Sequence, residues 1–518
     1  MARKGEYFVL LVIILFGLVI RVIGFNYDLP YIYHPDEPTN IRVIQRIFKG
    51  DLNPHFFNYP SLFFYINAVA YIPYYLYGKF TGSFHARIDI PEPISLTMGV
   101  TRIDDPFVVI LSRLLTIVIG TIGILLVYLI CKQFSHEPLV AIVSALFFAL
   151  NPTAVSLSRF ITPDSYATFF VLISIFGSYL VLNRGSISTY LLAGFGAGLA
   201  ASTKYNAVFV LVSLLVAHFL RYGKSGLLNR NLYFAVIASG LGFFITTPFS
   251  LLDTQNFLKD FFFEMKHYST GHPGMEGNTL TWYLTYMWQT AGISYVLAAC
   301  GIFYSLVSSQ KRNLVVISFV LVYFVVISRM MVRNDRTILP IIPLFMVMGS
   351  WMLIKVTNTI GYLTSKHERF PSKTRTILTS GFFLILLCLT LVQPITRVYR
   401  GIINLLMPNS RETARIWIEQ NLPEGSRLAI ESYSPFINPE KFLVQGVGQI
   451  IDHDLNWYYE QDFDYLVFSQ GMYGRYFAEP QKYNEQVKKY QKFFDELPLV
   501  KIFRDGNYEI RIYKVKSE

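Results

Sequence analysis

Apolar blocks as long as a bilayer is thick recur along this chain, for example Tyr7 to Phe25 and Thr376 to Thr396. A helix needs about 20 such residues to cross about 30 Å of hydrocarbon, where every backbone N–H and C=O has to be bonded within the protein. The blocks do not alternate apolar with polar residues, so they read as helices and not as strands of a closed barrel. The 518 residues are 53% hydrophobic and 15% charged, a membrane composition. The formal net charge of +11 is scattered over short loops with no aromatic-lined basic platform, so it reads as topology-setting loop charge and not as a nucleic-acid surface. Cys131, Cys300 and Cys388 all fall in apolar blocks and give neither a disulfide framework nor metal-ligand spacing.

The first block follows Arg3 and Lys4 and runs to Arg21 without a small-residue cleavage pattern, so it reads as a retained helix with the N-terminus inside. Hydropathy and loop charge then predict about eleven crossings, at 7–25, 107–131, 138–157, 166–182, 188–203, 206–220, 232–252, 280–307, 314–331, 337–354 and 376–396. This places Lys132, Arg184, Arg221, Lys224, Arg230, Lys311, Arg312 and the run from Lys355 to Arg375 on the inner face, as the positive-inside rule requires. Most carboxylates fall outside, among them Asp36, Glu37, Asp104, Asp105, Asp164, Asp253, Glu264 and Asp335. Ser61 to Phe80 is apolar enough to span, yet counting it would invert every later loop. Its tyrosines suit a helix lying at headgroup level.

After Thr396 charged residues become frequent. A helix capped at Ser410, strands at 427–431, 465–469, 499–503 and 508–515, and an Asp505-Gly506 hairpin read as a small α/β domain. The predicted architecture is a polytopic α-helical membrane protein of about eleven transmembrane helices with a C-terminal extracytoplasmic α/β domain. Residues 1–396 form the membrane part, with an outer loop 26–106 that carries surface helices, and 397–518 the soluble part.

The outer face collects the residues with chemical potential. His34-Pro35-Asp36-Glu37-Pro38 opens an amphipathic helix, and Asp164 stands at the outer start of another crossing. Either acid is explained by capping and the helix dipole. Two of them on one face at membrane level would instead make a site for abstracting a proton or orienting a nucleophile. Lys204 in a short outer connection, and Arg333 and Arg336 in a tight outer turn, can snorkel or can clamp a lipid phosphate. His267 and His272 occupy a glycine-flanked loop that reads as a flap, and two histidines alone make no metal site. Gly194-Phe195-Gly196-Ala197-Gly198 lacks the dinucleotide spacing, so its small residues serve close helix packing.

In this order and sidedness the motifs resemble the protein O-mannosyltransferase and lipid A aminoarabinose transferase superfamily, the GT-C integral-membrane glycosyltransferases of family 39 type. The likeness rests on Asp36-Glu37 in the first outer loop, Tyr59-Pro60-Ser61-Leu62-Phe63-Phe64-Tyr65 after a surface helix, and Asp164 in the second outer loop. It also rests on Thr203-Lys204 after a glycine-rich helix, Arg336-Thr337-Ile338-Leu339-Pro340-Ile341-Ile342-Pro343, and the helix Arg411 to Ile418. Aminoarabinose transferases carry a Lys before the Pro-containing stretch where this chain has Asn58 and Tyr59, so that specificity does not carry over.

The resemblance implies inverting single displacement of a sugar from a polyisoprenyl phosphate to an extracytoplasmic glycan, lipid or protein acceptor, in the cell membrane, with no cofactor or metal. Asp36 would be the general base, with Glu37 and Asp164 orienting substrates, and Lys204, Arg333 and Arg336 would bind the donor phosphate. Tyr59, Arg159 and His272 would contact substrate. One rival is oligosaccharide transfer, whose Trp-Trp-Asp motif this sequence lacks. The other is a transporter, which would place its charges near the midplane and show inverted repeats.

Overall fold

The computed structural model describes residues 2–135, 137–366, 371–505 and 508–515. The expected turn residue Gly506 and positions 367–370 of the basic run lie outside them.

Among the described residues, eight helical segments are long and apolar enough to cross a membrane: Lys4–Val22, Pro106–Phe134, Asp164–Arg184, Tyr205–Leu228, Thr279–Val307, Lys311–Ser328, Asp335–Lys366 and Ser372–Asn421. They coincide with eight of the expected crossings. The other three fall on shorter apolar helices, Pro138–Ala149, Ile187–Ala201 and Arg230–Thr246. Two of these are cut short by proline, which fixes φ and cannot donate a backbone bond. Asn151 caps a new six-residue helix that starts at Pro152, so 138–157 is not one helix. The helix expected to run to 252 stops at Thr246, before Pro248.

Most of the connection beyond is a 17-residue helix, Thr254–Thr270, which takes in His267, while the glycine-flanked His272-Pro273 lies in the non-helical stretch past its end. One stripe, Asp253, Asp260 and Glu264, bonds the side chain of Asn53 at 2.8 Å, the backbone N–H of Phe57 at 2.9 Å and the side chain of Asn58 at 3.1 Å. Leu258, Phe262 and Met265 share an exposed apolar face, the pattern of a helix lying in the membrane interface. Leu62–Thr81, with Pro73 inside it, is not among the eight spans and packs against Glu37–Lys49 and Pro106–Phe134.

Small residues set the closest helix contact. A Cβ at Gly194 or Gly198 would stand 2.1 Å from the carbonyl oxygen of Ala235 or Ser239, so Ile187–Ala201 lies backbone to backbone against Arg230–Thr246. Asp335–Lys366 is the central element, with 89% of its most apolar window buried, whereas the window of the last span is 6% buried and faces outward.

The helix Ser372–Leu406 has 35 residues, about 52 Å of rise, and runs past the expected boundary at 396/397. Asn409, not Ser410, then caps Ser410–Asn421, accepting from the Glu412 N–H at 3.0 Å. The outer loop carries β1 (Tyr31–Ile32), β2 (Ile94–Thr97) and β3 (Val100–Arg102) in the order β1-β3-β2. The C-terminal sheet contains β4 (Arg427–Ile430), β5 (Leu443–Gly446), β6 (Tyr465–Ser469), β7 (Leu499–Asp505) and β8 (Tyr508–Lys514) in the order β5-β4-β6-β8-β7. β4 is parallel to β5 and β6, while β8 is antiparallel to β6 and β7. β5 was not expected: it is a four-residue edge strand without a buried alternating face. The domain sits on the outer loop, where the Tyr433 N–H donates to the Met98 carbonyl at 2.8 Å and Gly446 meets the backbone of Leu96.

Candidate active site

Asp36 precedes the helix Glu37–Lys49, whose Pro38 suits a first turn, but its side chain makes no capping bond. Instead Oδ2 accepts from Nη1 of Arg336, 300 residues away, and among the described residues Oδ1 has no hydrogen-bond partner. Burial pushes the Asp36 carboxyl up, but the Arg336 guanidinium overcomes this and holds it below the ordinary aspartate value. Asp164 likewise caps nothing; its Oδ1 lies 2.6 Å from Nζ of Lys204, with the two side chains 2% and 8% exposed. Capping therefore accounts for neither acid, and the two acid–cation pairs lie within electrostatic reach of each other.

The second acid of the first loop behaves differently. Glu37 and Arg113 are fully buried, with Oε1 accepting from Arg113 Nε at 3.0 Å and from the Ile161 N–H at 3.0 Å. Oε2 accepts from Arg113 Nη2 at 2.7 Å and from the Tyr27 hydroxyl at 3.3 Å. A carboxylate has about four lone-pair positions, and all are filled from within the protein. Glu37 pins the first loop to the helix Pro106–Phe134 and to the bend before Asp164–Arg184, and has no acceptor left with which to orient substrate, contrary to expectation.

Arg159 also differs from expectation. It is 2% exposed and donates to the carbonyls of Ile20 and Arg21, closing the end of the first helix. Arg333 reaches Glu479 of the C-terminal domain at 3.4 Å and packs on Gly277. His272 stacks on His267 with ring centroids 5.2 Å apart, and burial lowers its pKa. Among the described residues no three His, Cys, Asp or Glu side chains are grouped to hold a metal ion.

Lys204 and Tyr59 extend the cluster into a cavity of about 800 Å³. Phe209, Phe243, Phe244, Phe261 and Val326 give it apolar walls, and Asn58, bonded to Glu264, lies at its rim. Burial drives the Tyr59 hydroxyl pKa far up, so this group stays protonated. Arg329 is the other cation on the wall, exposed and without a carboxylate partner among the described residues. The sequence hid it inside the expected crossing 314–331, whereas the helix ends at Ser328 and leaves Arg329 at the boundary.

Residues 99–250 match the model of the dolichyl-phosphate-mannose-protein mannosyltransferase family. Dolichyl-phosphate-mannose–protein mannosyltransferase 1 of Saccharomyces cerevisiae is 27% identical over 150 residues, which are 27% of this chain and 18% of the yeast protein. The chain therefore spans under a fifth of that relative.

Two solved structures extend the likeness to almost the whole fold. ArnT from Cupriavidus metallidurans in the apo state superposes with a TM-score of 0.56 at 14% identity, covering 99% of this chain and 98% of that one. The apo oligosaccharyltransferase of Archaeoglobus fulgidus gives 0.56 at 12% identity, covering 91% and 70%. Similar structures of ArnT from Cupriavidus metallidurans and of the oligosaccharyltransferase AglB from Archaeoglobus fulgidus carry undecaprenyl phosphate and, with an inhibitory peptide, dolichol-phosphate, respectively. The chain is thus a multi-pass membrane protein that shares its overall fold with ArnT and with the archaeal oligosaccharyltransferase, and its residues 99–250 are similar to the dolichyl-phosphate-mannose-protein mannosyltransferase family.

Proposed function

We propose that this protein transfers a sugar from a polyisoprenyl phosphate to an acceptor hydroxyl at the outer membrane boundary, by single displacement with inversion. The observation that carries this reading is an acid with one free oxygen, Asp36, within electrostatic reach of Tyr59 and Lys204 on the wall of a large cavity that also holds the unpaired Arg329. The acceptor O–H gives its proton to Asp36 Oδ1 while its oxygen attacks the anomeric carbon. The bond from that carbon to the carrier phosphate breaks, and its electron pair leaves with the phosphate.

Charge grows on the phosphate as the bond lengthens, and fixed cations in a water-poor site favour that state over the ground state. Asp164 already neutralises Lys204, so Arg329, which makes no ion pair among the described residues although Glu264 lines the same cavity, is the cation left for the phosphate, while Arg336 fixes the Asp36 carboxylate. The phenylalanine-rich wall suits an isoprenyl tail, worth about 0.8 kcal/mol per buried CH₂. In this reading Arg333 acts through the outer loop rather than on the phosphate, and Glu37 and Arg159 are architectural.

Carrier phosphates bound to proteins of the same fold support the donor class, and the mannosyltransferase match at 99–250 favours mannose. The positive-inside pattern puts the N-terminus in the cytoplasm and the C-terminal domain outside the cell membrane. Reconstituted protein incubated with radiolabelled polyprenyl-phosphate sugars and native membranes tests the reading. Label should move from the lipid phosphate to an acceptor with release of polyprenyl phosphate. Use of lipid-pyrophosphate oligosaccharides alone, or no consumption of any donor, would overturn it.

A further inference from the structure

The helix Glu37–Lys49 begins beside Asp36 and carries three cations that no step above uses. Arg42, Arg46 and Lys49 are spaced i, i+4 and i+7, so they share one face. That face lies opposite the one packed on Leu62–Thr81, and it lines a recess of about 210 Å³ together with Asp51 and Glu92. Lys49 is paired with Glu92 at 2.9 Å, and Asp51 with His55 at 3.0 Å. Among the described residues Arg42 bonds only the Ser95 hydroxyl, and the Arg46 side chain only the Pro54 carbonyl at 3.1 Å. Among the described residues neither arginine has a carboxylate partner, so two guanidinium forks face an open recess with donors unused.

A guanidinium fork matches a carboxylate bidentately. The lining offers no aromatic face on which a sugar ring could stack. Asp51 and Glu92 would also repel a densely charged polyanion, whereas a single carboxylate on a flexible stem fits between the two arginines. Helical rise places Arg42 about 9 Å and Arg46 about 15 Å along the axis from Asp36. An extended chain covers that span in about three to five residues.

We propose that the recess is an acceptor subsite for an acidic polypeptide: a Glu or Asp side chain about three to five residues from the modified hydroxyl docks on Arg42 and Arg46. The inference rests on the reading of function above and adds to it the class of acceptor.

The test uses the full-length purified protein and fluorescein-labelled ten-residue peptides with one central Thr and a Glu placed four residues away on either side, each against its Gln twin. Polarisation should show one Glu peptide binding about tenfold tighter than its twin, with the preference falling as salt rises. In the Arg42→Gln/Arg46→Gln variant the preference should vanish while binding of the Gln peptide is unchanged. Glu92→Gln, which frees Lys49 and disturbs no buried group, should strengthen the preference. Equal binding of both pairs to the wild type would overturn the proposal, as would alginate displacing the peptide at a lower carboxylate concentration than free glutamate peptide does. Sugar transfer to the same peptides is read separately. Discrimination in binding without transfer would remove the catalytic reading and keep the recess, and transfer without discrimination would do the reverse.

Discussion

Removing Arg113 separates an architectural Glu37 from one that touches substrate. Both side chains of the pair are 0% exposed, and Arg113 supplies two of the four hydrogen bonds that Glu37 accepts. Arg113→Met leaves a buried carboxylate with the Ile161 N–H and the Tyr27 hydroxyl as its remaining donors. Breaking one half of a buried pair costs about 3–5 kcal/mol, roughly two to nearly four powers of ten in the folded fraction. Deleting both charges in Glu37→Met/Arg113→Met removes the unpaired ion, so the double variant should be more stable than Arg113→Met alone. Burial pushes the Glu37 carboxyl up but Arg113 holds it below the ordinary glutamate value, so the pair's contribution is full at neutral pH. It is lost only as pH falls through that lowered value. The assay is SDS-titrated unfolding of detergent-solubilised protein, with sugar transfer measured per folded molecule. Glu37→Gln with wild-type stability and abolished transfer would refute the assignment, and so would a double variant whose loss equals the sum of the single losses.

Three further outcomes follow from named contacts. Arg329→Gln should raise the donor KM by about ten- to a hundredfold, the loss of one or two charge-assisted bonds to phosphate, with acceptor KM unchanged; unchanged donor use would remove Arg329 from the phosphate site. Gly198→Val drives a side chain into the Ser239 carbonyl, so it should lower the midpoint of thermal aggregation far more than Gly240→Val, where the space is open; equal midpoints would contradict the close packing. Burial raises the Glu431 carboxyl to about 8 from an ordinary 4.5, so the folded domain holds a proton that the unfolded chain has released. Its stability should therefore fall as pH rises between 4.5 and 8, measured as hydrogen exchange in β4 and β6, and flat protection across that range would contradict it.

Much of the membrane fold was legible because hydrocarbon allows so few backbone solutions: eight of the expected crossings coincide with spanning helices, and loop charge kept Leu62–Thr81 out of the count. Hydropathy averages over 18 or more residues, so it could not see that Pro152 and Pro248 break two crossings. Thr254–Thr270 escaped because its helical stripe, Asp253, Asp260 and Glu264, finds its partners only in Asn53, Phe57 and Asn58, about 200 residues away in sequence. In the site, residue type and sidedness brought Asp36, Asp164, Lys204 and Arg336 to notice. The chain could not reveal that they pair with one another, nor that Glu37 spends all its acceptors on Arg113, Ile161 and Tyr27. Adjacent residues at a helix start point in different directions, and one faces Arg336 while the other faces Arg113.

Single-turnover transfer by Asp36→Asn bears most directly on the mechanism. Asn keeps the shape and the contact to Arg336 but cannot take a proton. Donor binding, read by protection of the labelled polyprenyl-phosphate sugar, should persist while transfer to the acceptor falls by at least about a hundredfold. Transfer at the wild-type rate by a folded Asp36→Asn protein would show that the proton leaves by another route and that Asp36 is not the base.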